Sequence, residues 1–298
     1  MQSASMETPT ILLIGKNGQV GWELRRTLAP LGQVLAVDYP EIDLTDAAAA
    51  RRIVLENKPT VVINAAAYTA VDKAESEPRI AQQINGIAPG VLAEAAKQVD
   101  ALMVHYSTDY VFDGTKKTPY VETDPPNPVS VYGQTKLEGD QVVRAAGCNH
   151  LIFRLCWVYG ARGQNFLLTM QRLARERESL RVVADQFGSP TWSRLIAEAT
   201  TQTLQHVLTV GDATAFKGTY HLAAGGSASW HEFASRIVEL MSEAERRCRE
   251  VTAIATTDYP TPAKRPAYSV LDCGKLKKTY GIQLPDWKEC LRLVLDRQ

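Results

Sequence analysis

The 298-residue sequence predicts an α/β protein built on a parallel sheet, and three features carry that prediction. Short, wholly apolar, β-rich runs alternate with stretches of helical periodicity up to about residue 160. Strands covered on both faces read as continuous apolar runs, whereas half-exposed strands alternate. A glycine-rich turn joins the first run to the first helical stretch, and the rhythm loosens beyond residue 160. Together these indicate a Rossmann-type doubly wound parallel sheet over residues 10–160. A smaller C-terminal α/β lobe follows over 161–298, with some chain returning to the sheet. Residues 1–9 are polar, with neither an apolar run nor an arginine, and read as a flexible tail.

Thr10–Ile14 (TILLI) is the first strand, and a helix follows with Val20, Leu24 and Leu28 on one face. Gln33–Val37 is the second strand and stops at Asp38. Ala47–Asn57 is helical, Thr60–Ile63 the third strand and Glu77–Val99 one long helix. Ala101–Tyr106, Val129–Ala146 and His150–Leu155 continue as strand, helix and strand. In the second half, Asn165–Glu178, Ser193–Leu208, Trp230–Cys248 and Asp286–Leu295 read as helices. Leu180–Val183 and Thr219–Leu222 read as strands. Asp185–Thr191 is turn-rich, and three prolines keep Thr257–Pro266 extended or irregular.

Lysine plus arginine and aspartate plus glutamate balance at 33 each. A neutral chain has no bulk attraction for nucleic acid or an anionic membrane, so anionic ligands need a local site. Cys148, Cys156, Cys248, Cys273 and Cys290 are odd in number and scattered, which fits free thiols in a reducing compartment. No apolar run is long enough for a membrane span, and the expectation is a cytoplasmic protein.

The turn Gly15-Lys-Asn-Gly18-Gln-Val-Gly21 has the spacing G-x-x-G-x-x-G. Glycines are needed where a side chain would block the turn, a diphosphate or helix–strand packing. The helix N-terminus then offers free amides to the diphosphate. Without a ligand, the same spacing would be a tight strand-to-helix turn, but its place after the first strand favours a dinucleotide. Asp38 ends the second strand, where a carboxylate suits the ribose hydroxyls of NAD and disfavours a 2′-phosphate. Asp43 and Leu44 would flank the adenine. Arg25 and Arg26 read as a solvated helix face.

Tyr132-Gly-Gln-Thr-Lys136 opens a helical segment, and an i, i+4 pair shares one face. Alone, such a pair is usually exposed surface. Here Ser107 and Thr108 lie at a strand's carboxyl end, where open α/β sheets bind ligands. A phenol has a pKa of about 10, and a nearby ammonium would lower it. Tyr132 would then protonate a carbonyl oxygen as hydride reaches its carbon, with Lys136 as activator and Thr108 holding the carbonyl. Trp157 follows the fifth strand; its plainest reading is core, and its other is an aromatic platform for a sugar or base. Arg265, in the proline-rich loop, would form a salt bridge or grip a diphosphate.

Gly15–Gly21, Asn64–Ala67, Ser107–Phe112 and Tyr132–Lys136 together resemble the extended short-chain dehydrogenase/reductases. More narrowly, the chain is similar to the dTDP-4-dehydrorhamnose reductase family. The segments Asn64–Glu75, His105–Gly114, Arg154–Gly160, Asp185–Thr191, Gly218–Gly226 and Arg265–Asp272 carry this likeness. The resemblance implies Thr108, Tyr132 and Lys136 as catalytic residues. It implies coenzyme contacts at Gly15, Asn17, Gly18, Gln19, Val20, Asp38, Asp43, Leu44, Ala65, Ala66, Ala67 and Thr69, together with Tyr132 and Lys136. Thr108, Asp109, Trp157 and Arg265 would meet a dTDP-sugar. The implied reaction reduces the 4-keto group of dTDP-4-dehydro-L-rhamnose with NADPH or NADH, the last step of dTDP-rhamnose biosynthesis.

Some relatives hold Mg2+ between acidic residues at a homodimer interface. Glu23 matches one such position, but Arg194 stands at another, where a cation repels Mg2+ and would pair with Glu23. The sequence thus assigns no metal ligand and weakens, without removing, the implied Mg2+ and the implied homodimer. Two other readings share these features: another NAD(P)-dependent sugar-nucleotide reductase or epimerase on the same fold, and a non-catalytic subunit like the regulatory β subunit of methionine adenosyltransferase. Retention of both Tyr132 and Lys136 argues against the latter.

Overall fold

The structure, a computed structural model, describes residues 8–296. Of the expected N-terminal tail, residues 1–7 lie outside the described residues. The first half runs β1 (Thr10–Ile14), α1 (Gln19–Thr27), β2 (Gln33–Val37), α2 (Ala47–Asn57), β3 (Val61–Asn64), α3 (Val71–Ala74), α4 (Pro78–Ala81), α5 (Ala88–Gln98), β4 (Leu102–Thr108), α6 (Val131–Ala146) and β5 (His150–Leu155). The second half runs β6 (Val158–Tyr159), α7 (Phe166–Glu176), β7 (Ser179–Val183), β8 (Phe187–Gly188), β9 (Thr191–Trp192), α8 (Ser193–Val210), β10 (Gly218–His221), β11 (Ala228–Ser229), α9 (Trp230–Leu240), β12 (Glu250–Ile254), α10 (Gly274–Tyr280) and α11 (Trp287–Leu295).

Six strands form a parallel sheet in the order β10-β5-β4-β3-β1-β2. Alternate residues face opposite layers. Ile11, Leu13, Ile63, Val104 and Phe153 pack with Leu24 of α1, Leu28 at its C-terminal cap, and Ile196 and Leu204 of α8. Leu12, Ile14, Val62, Met103 and Ile152 face Val54 of α2, Leu92 of α5 and Val143 of α6. Burying each such side chain is worth about 1.5–3 kcal/mol, and every residue of β3, β4 and β5 is buried, the polar ones falling mainly at strand ends. β10 pairs with β5, so the chain re-enters the sheet after residue 161. A separate core joins Tyr159, Leu167, Phe233, Ile237, Trp287 and Leu291 around α7, α9 and α11. Among the described residues no helix is long and apolar enough to cross a membrane. Four of the five cysteines are buried, and all are free.

The expected helical stretch over Glu77–Val99 is present from Pro78 to Gln98, but it is not α-helical throughout. A π-helical turn, Gln82–Ile87, separates α4 from α5. It turns the buried Asn85 toward the loop after β3. There Asn85 Oδ1 accepts from Tyr68 N (2.8 Å), and Nδ2 donates to Tyr68 O (3.0 Å). The helix expected over Trp230–Cys248 ends at Leu240. Beyond it the charged run SEAERRCRE offers no apolar face, and Met241 is already extended. The elements not foreseen are α3, the two-residue strands β6, β8, β9 and β11, α10, and β12, which pairs in parallel with β7.

Candidate active site

The carboxyl ends of β1, β3, β4 and β5 open into one cleft of about 710 Å3, within the range of small-molecule sites. The sheet's strand order reverses between β1 and β3, and crevices at such points receive ligands.

The glycine turn forms the floor. Gly15 has φ +93°, and a Cβ there would lie 2.5 Å from Ala66 N. A Cβ on Gly21 would collide with the Gly15 carbonyl, so α1 packs this closely on the turn only with glycine. α1 has no side-chain cap and no acidic residue in its first turn, so its leading amides remain available to an anion. Gly15, Asn17, Gly18, Gln19, Val20, Asp38, Ala65, Ala66, Ala67 and Thr69 all line the cleft. Asp38 spans the turn: Oδ2 accepts from Asn17 N and Oδ1 from Tyr39 N, each at 2.8 Å. These residues fit a dinucleotide: a bare helix N-terminus for the diphosphate and a fixed carboxylate at the ribose end.

Asp43 and Leu44 do not line the cleft. The Asp43 carboxylate is committed to Thr45, accepting from its amide (2.8 Å) and hydroxyl (2.7 Å). Leu44 is buried in the layer beneath α2.

Thr108, Tyr132 and Lys136 come together in the cleft beside Asp109. Ser130 caps α6 by accepting from Gly133 N (3.2 Å), and Glu75 accepts from Val131 N (2.9 Å). The first turn of α6 is thereby pinned, and Tyr132 with it. The Thr108 hydroxyl donates to Asp109 Oδ1 (3.0 Å), accepts from Tyr110 N (3.1 Å) and hydrogen-bonds the Tyr132 phenol. Burial pushes the phenol up to about 12, against the opposing pull of Thr108. The lysine-driven depression expected for this phenol is not seen: the lowering influence is Thr108, and desolvation exceeds it. The result is a tyrosine fully protonated at neutral pH, the form a proton donor requires. Lys136 is 2% exposed and donates to Tyr106 O at 2.6 Å. Burial pushes its ammonium down to about 8, opposed by the charge of Asp140. Burial pushes Asp109 up to about 6, against hydrogen bonds from Ser269, Cys156 and Thr108.

Trp157 sits at φ +43° and lines the cleft. Its indole stacks on Trp230 with ring centroids 3.4 Å apart at 5°, and a Cβ on Gly188 would collide with it. Arg265 also lines the cleft while gripping Asp72 with both nitrogens, Nη1 to Oδ1 (3.0 Å) and Nη2 to Oδ2 (2.7 Å). The salt-bridge reading of Arg265 thus holds in this state. Sequence reasoning missed Trp230, Phe166 and Gln164 in the lining. Trp230 carried only the signal of a helix start.

Arg194 pairs with Glu23 (3.3 Å) and Glu198 (2.6 Å). Among the described residues no group of three or more His, Cys, Asp or Glu could hold a metal. The pairing of Arg194 with Glu23 expected from the sequence is thus present.

The family model described as the RmlD substrate binding domain matches residues 9–298. A dTDP-4-dehydrorhamnose reductase of Burkholderia thailandensis is 52% identical over 290 residues, covering 96% of this chain and 97% of that one. The solved dTDP-4-dehydrorhamnose reductase of Clostridium acetobutylicum superposes with a TM-score of 0.88 at 40% identity, covering 97% and 99%. That of Bacillus anthracis, solved in complex with NADP, also scores 0.88, at 34% identity, covering 98% and 100%. Likeness of this extent spans both the glycine turn and the segment carrying Tyr132, and on that ground the chain belongs to the dTDP-4-dehydrorhamnose reductase family.

Proposed function

We propose that this chain reduces the 4-keto group of dTDP-4-dehydro-L-rhamnose to give dTDP-L-rhamnose, using NADPH or NADH. The observation that carries this reading is the meeting of Thr108, Tyr132 and Lys136 in the same cleft as the glycine turn. A bound nicotinamide coenzyme supplies hydride to the ketone carbon. The chain's residues do the rest. Tyr132 gives its phenolic proton to the ketone oxygen, so one C–H and one O–H bond form. Lys136 stabilises the phenolate that remains until solvent reprotonates it. Thr108, held by Asp109 until substrate arrives, turns its hydroxyl proton from that carboxylate to the ketone oxygen and fixes it before Tyr132. Trp157 offers an aromatic face to the sugar nucleotide, backed by Trp230, and Arg265 stands at the same wall for the diphosphate. We assign coenzyme binding to residues 10–160 and most of the sugar-nucleotide side to 161–298.

The test is a coupled assay. dTDP-glucose is passed through the preceding dehydratase and epimerase, this protein is added with NADPH or NADH, and dTDP-rhamnose is sought by mass. Product with stoichiometric loss of reduced coenzyme supports reduction; turnover without such loss marks an epimerase. No product with either coenzyme sinks the assignment.

The pH profile is expected to be bell-shaped. Asp109, held near 6, protonates as pH falls and becomes a weaker acceptor for Thr108. Lys136, held near 8, loses its charge as pH rises. kcat/KM should therefore decline below about pH 6 and above about pH 8. A flat profile between about pH 5 and about pH 9 would remove both groups from the mechanism.

A further inference from the structure

Lys16, within the glycine turn, is not part of the chemistry above, and its ammonium meets Glu41 at 2.5 Å. Glu41 in turn accepts from Asp38 N (3.1 Å), so it ties the end of β2 to the lysine. Lys16 N also donates to Val37 O (3.3 Å), which holds the turn against that strand end. The pair is part-exposed, Lys16 at 20% and Glu41 at 52%, and Arg25 adds to the positive field at Glu41. Two carboxylates, Asp38 and Glu41, thus share this corner with one lysine at its centre. The coenzymes differ here by a single group, a 2′-phosphate on the adenosine ribose, which belongs at the end of the second strand.

We propose that Glu41 sets coenzyme specificity by occupying Lys16. NADPH binding then requires Lys16 to exchange the Glu41 carboxylate for the 2′-phosphate, and NADH binding requires no exchange. Asp38, fixed on backbone amides, keeps the same position toward either coenzyme, so the exchange at Lys16 is the step that differs between them. The inference rests on the reductase reading of the cleft.

The experiment is isothermal titration of the intact protein with NADP+ and NAD+ at low and high salt, for wild type, Glu41→Gln, Lys16→Gln and the double variant. Glu41→Gln frees the ammonium and is expected to tighten NADP+ by about three- to tenfold while NAD+ stays within about twofold. High salt should shrink that gain. Lys16→Gln should weaken NADP+ selectively, and in the double variant the gain from Glu41→Gln should vanish, a direct measure of coupling. If Glu41→Gln shifts both coenzymes equally, or leaves the NADP+/NAD+ ratio unmoved, the inference fails alone. If the wild type binds neither coenzyme, the reductase reading fails and takes the inference with it.

Discussion

Tyr132→Phe should lower kcat by about 10²- to 10⁴-fold, the usual worth of a positioned proton donor, while the dissociation constant for coenzyme stays within about threefold. The substitution removes one oxygen and little else. The ring keeps its edge contact with Tyr110, whose centroid lies 6.0 Å away. Thr108 keeps its bonds to Asp109 and to Tyr110 N. Lys136 keeps its bond to Tyr106 O, so the wall that would face the nicotinamide ribose is undisturbed. The loss should fall on the chemical step alone, visible in single-turnover reduction of the 4-keto sugar. A variant with near wild-type turnover would mean that water or another group protonates the ketone, and the role given to Tyr132 would be wrong. A variant that no longer binds coenzyme would mean that the hydroxyl is a binding group instead.

Tyr132 and Lys136 were legible because their spacing, the strand-end hydroxyl of Thr108 and the glycine turn agree on one location. The strands β1, β2 and β5 and the helix α2 have the bounds their apolar runs predict. Such runs are unambiguous where both sheet faces are covered. What could not be read depends on contacts between distant segments. The Trp157–Trp230 stack joins the end of β5 to the start of α9, and neither residue signals the other. Asp72 looks like an ordinary helix-start carboxylate until Arg265 meets it. The π-helical turn at Asn85 leaves no mark in apolar periodicity, because the register slips by a single residue. Asp43, expected to flank an adenine, has a local partner that its place after the second strand did not announce: Oδ1 accepts from the Thr45 amide and hydroxyl.

Asp140→Ala is expected to be the most damaging change to stability, at about 3–5 kcal/mol, because it strands a buried charge. Asp140 is fully buried and Arg154 is 3% exposed, and a single bond joins them, Nε to Oδ2 at 3.2 Å. Removing the carboxylate leaves the guanidinium between β4 and β10 with the ring of Phe112 5.3 Å from its centre. A domain of ordinary stability has about 5–15 kcal/mol to lose, and the melting temperature should fall by roughly 6–10 °C. Because the pair is joined by one bond only, replacing both members with apolar residues, Asp140→Leu with Arg154→Met, should restore most of that stability. Function separates the two variants from a purely structural account. Asp140 lies one helical turn beyond Lys136 and holds its ammonium pKa up. Both variants lack that carboxylate, so in both the alkaline limb of the pH profile should move below about 8, even where the melting temperature has recovered. If the limb stays in place in the stable double variant, Asp140 is a packing element and the Lys136 charge is set by burial alone.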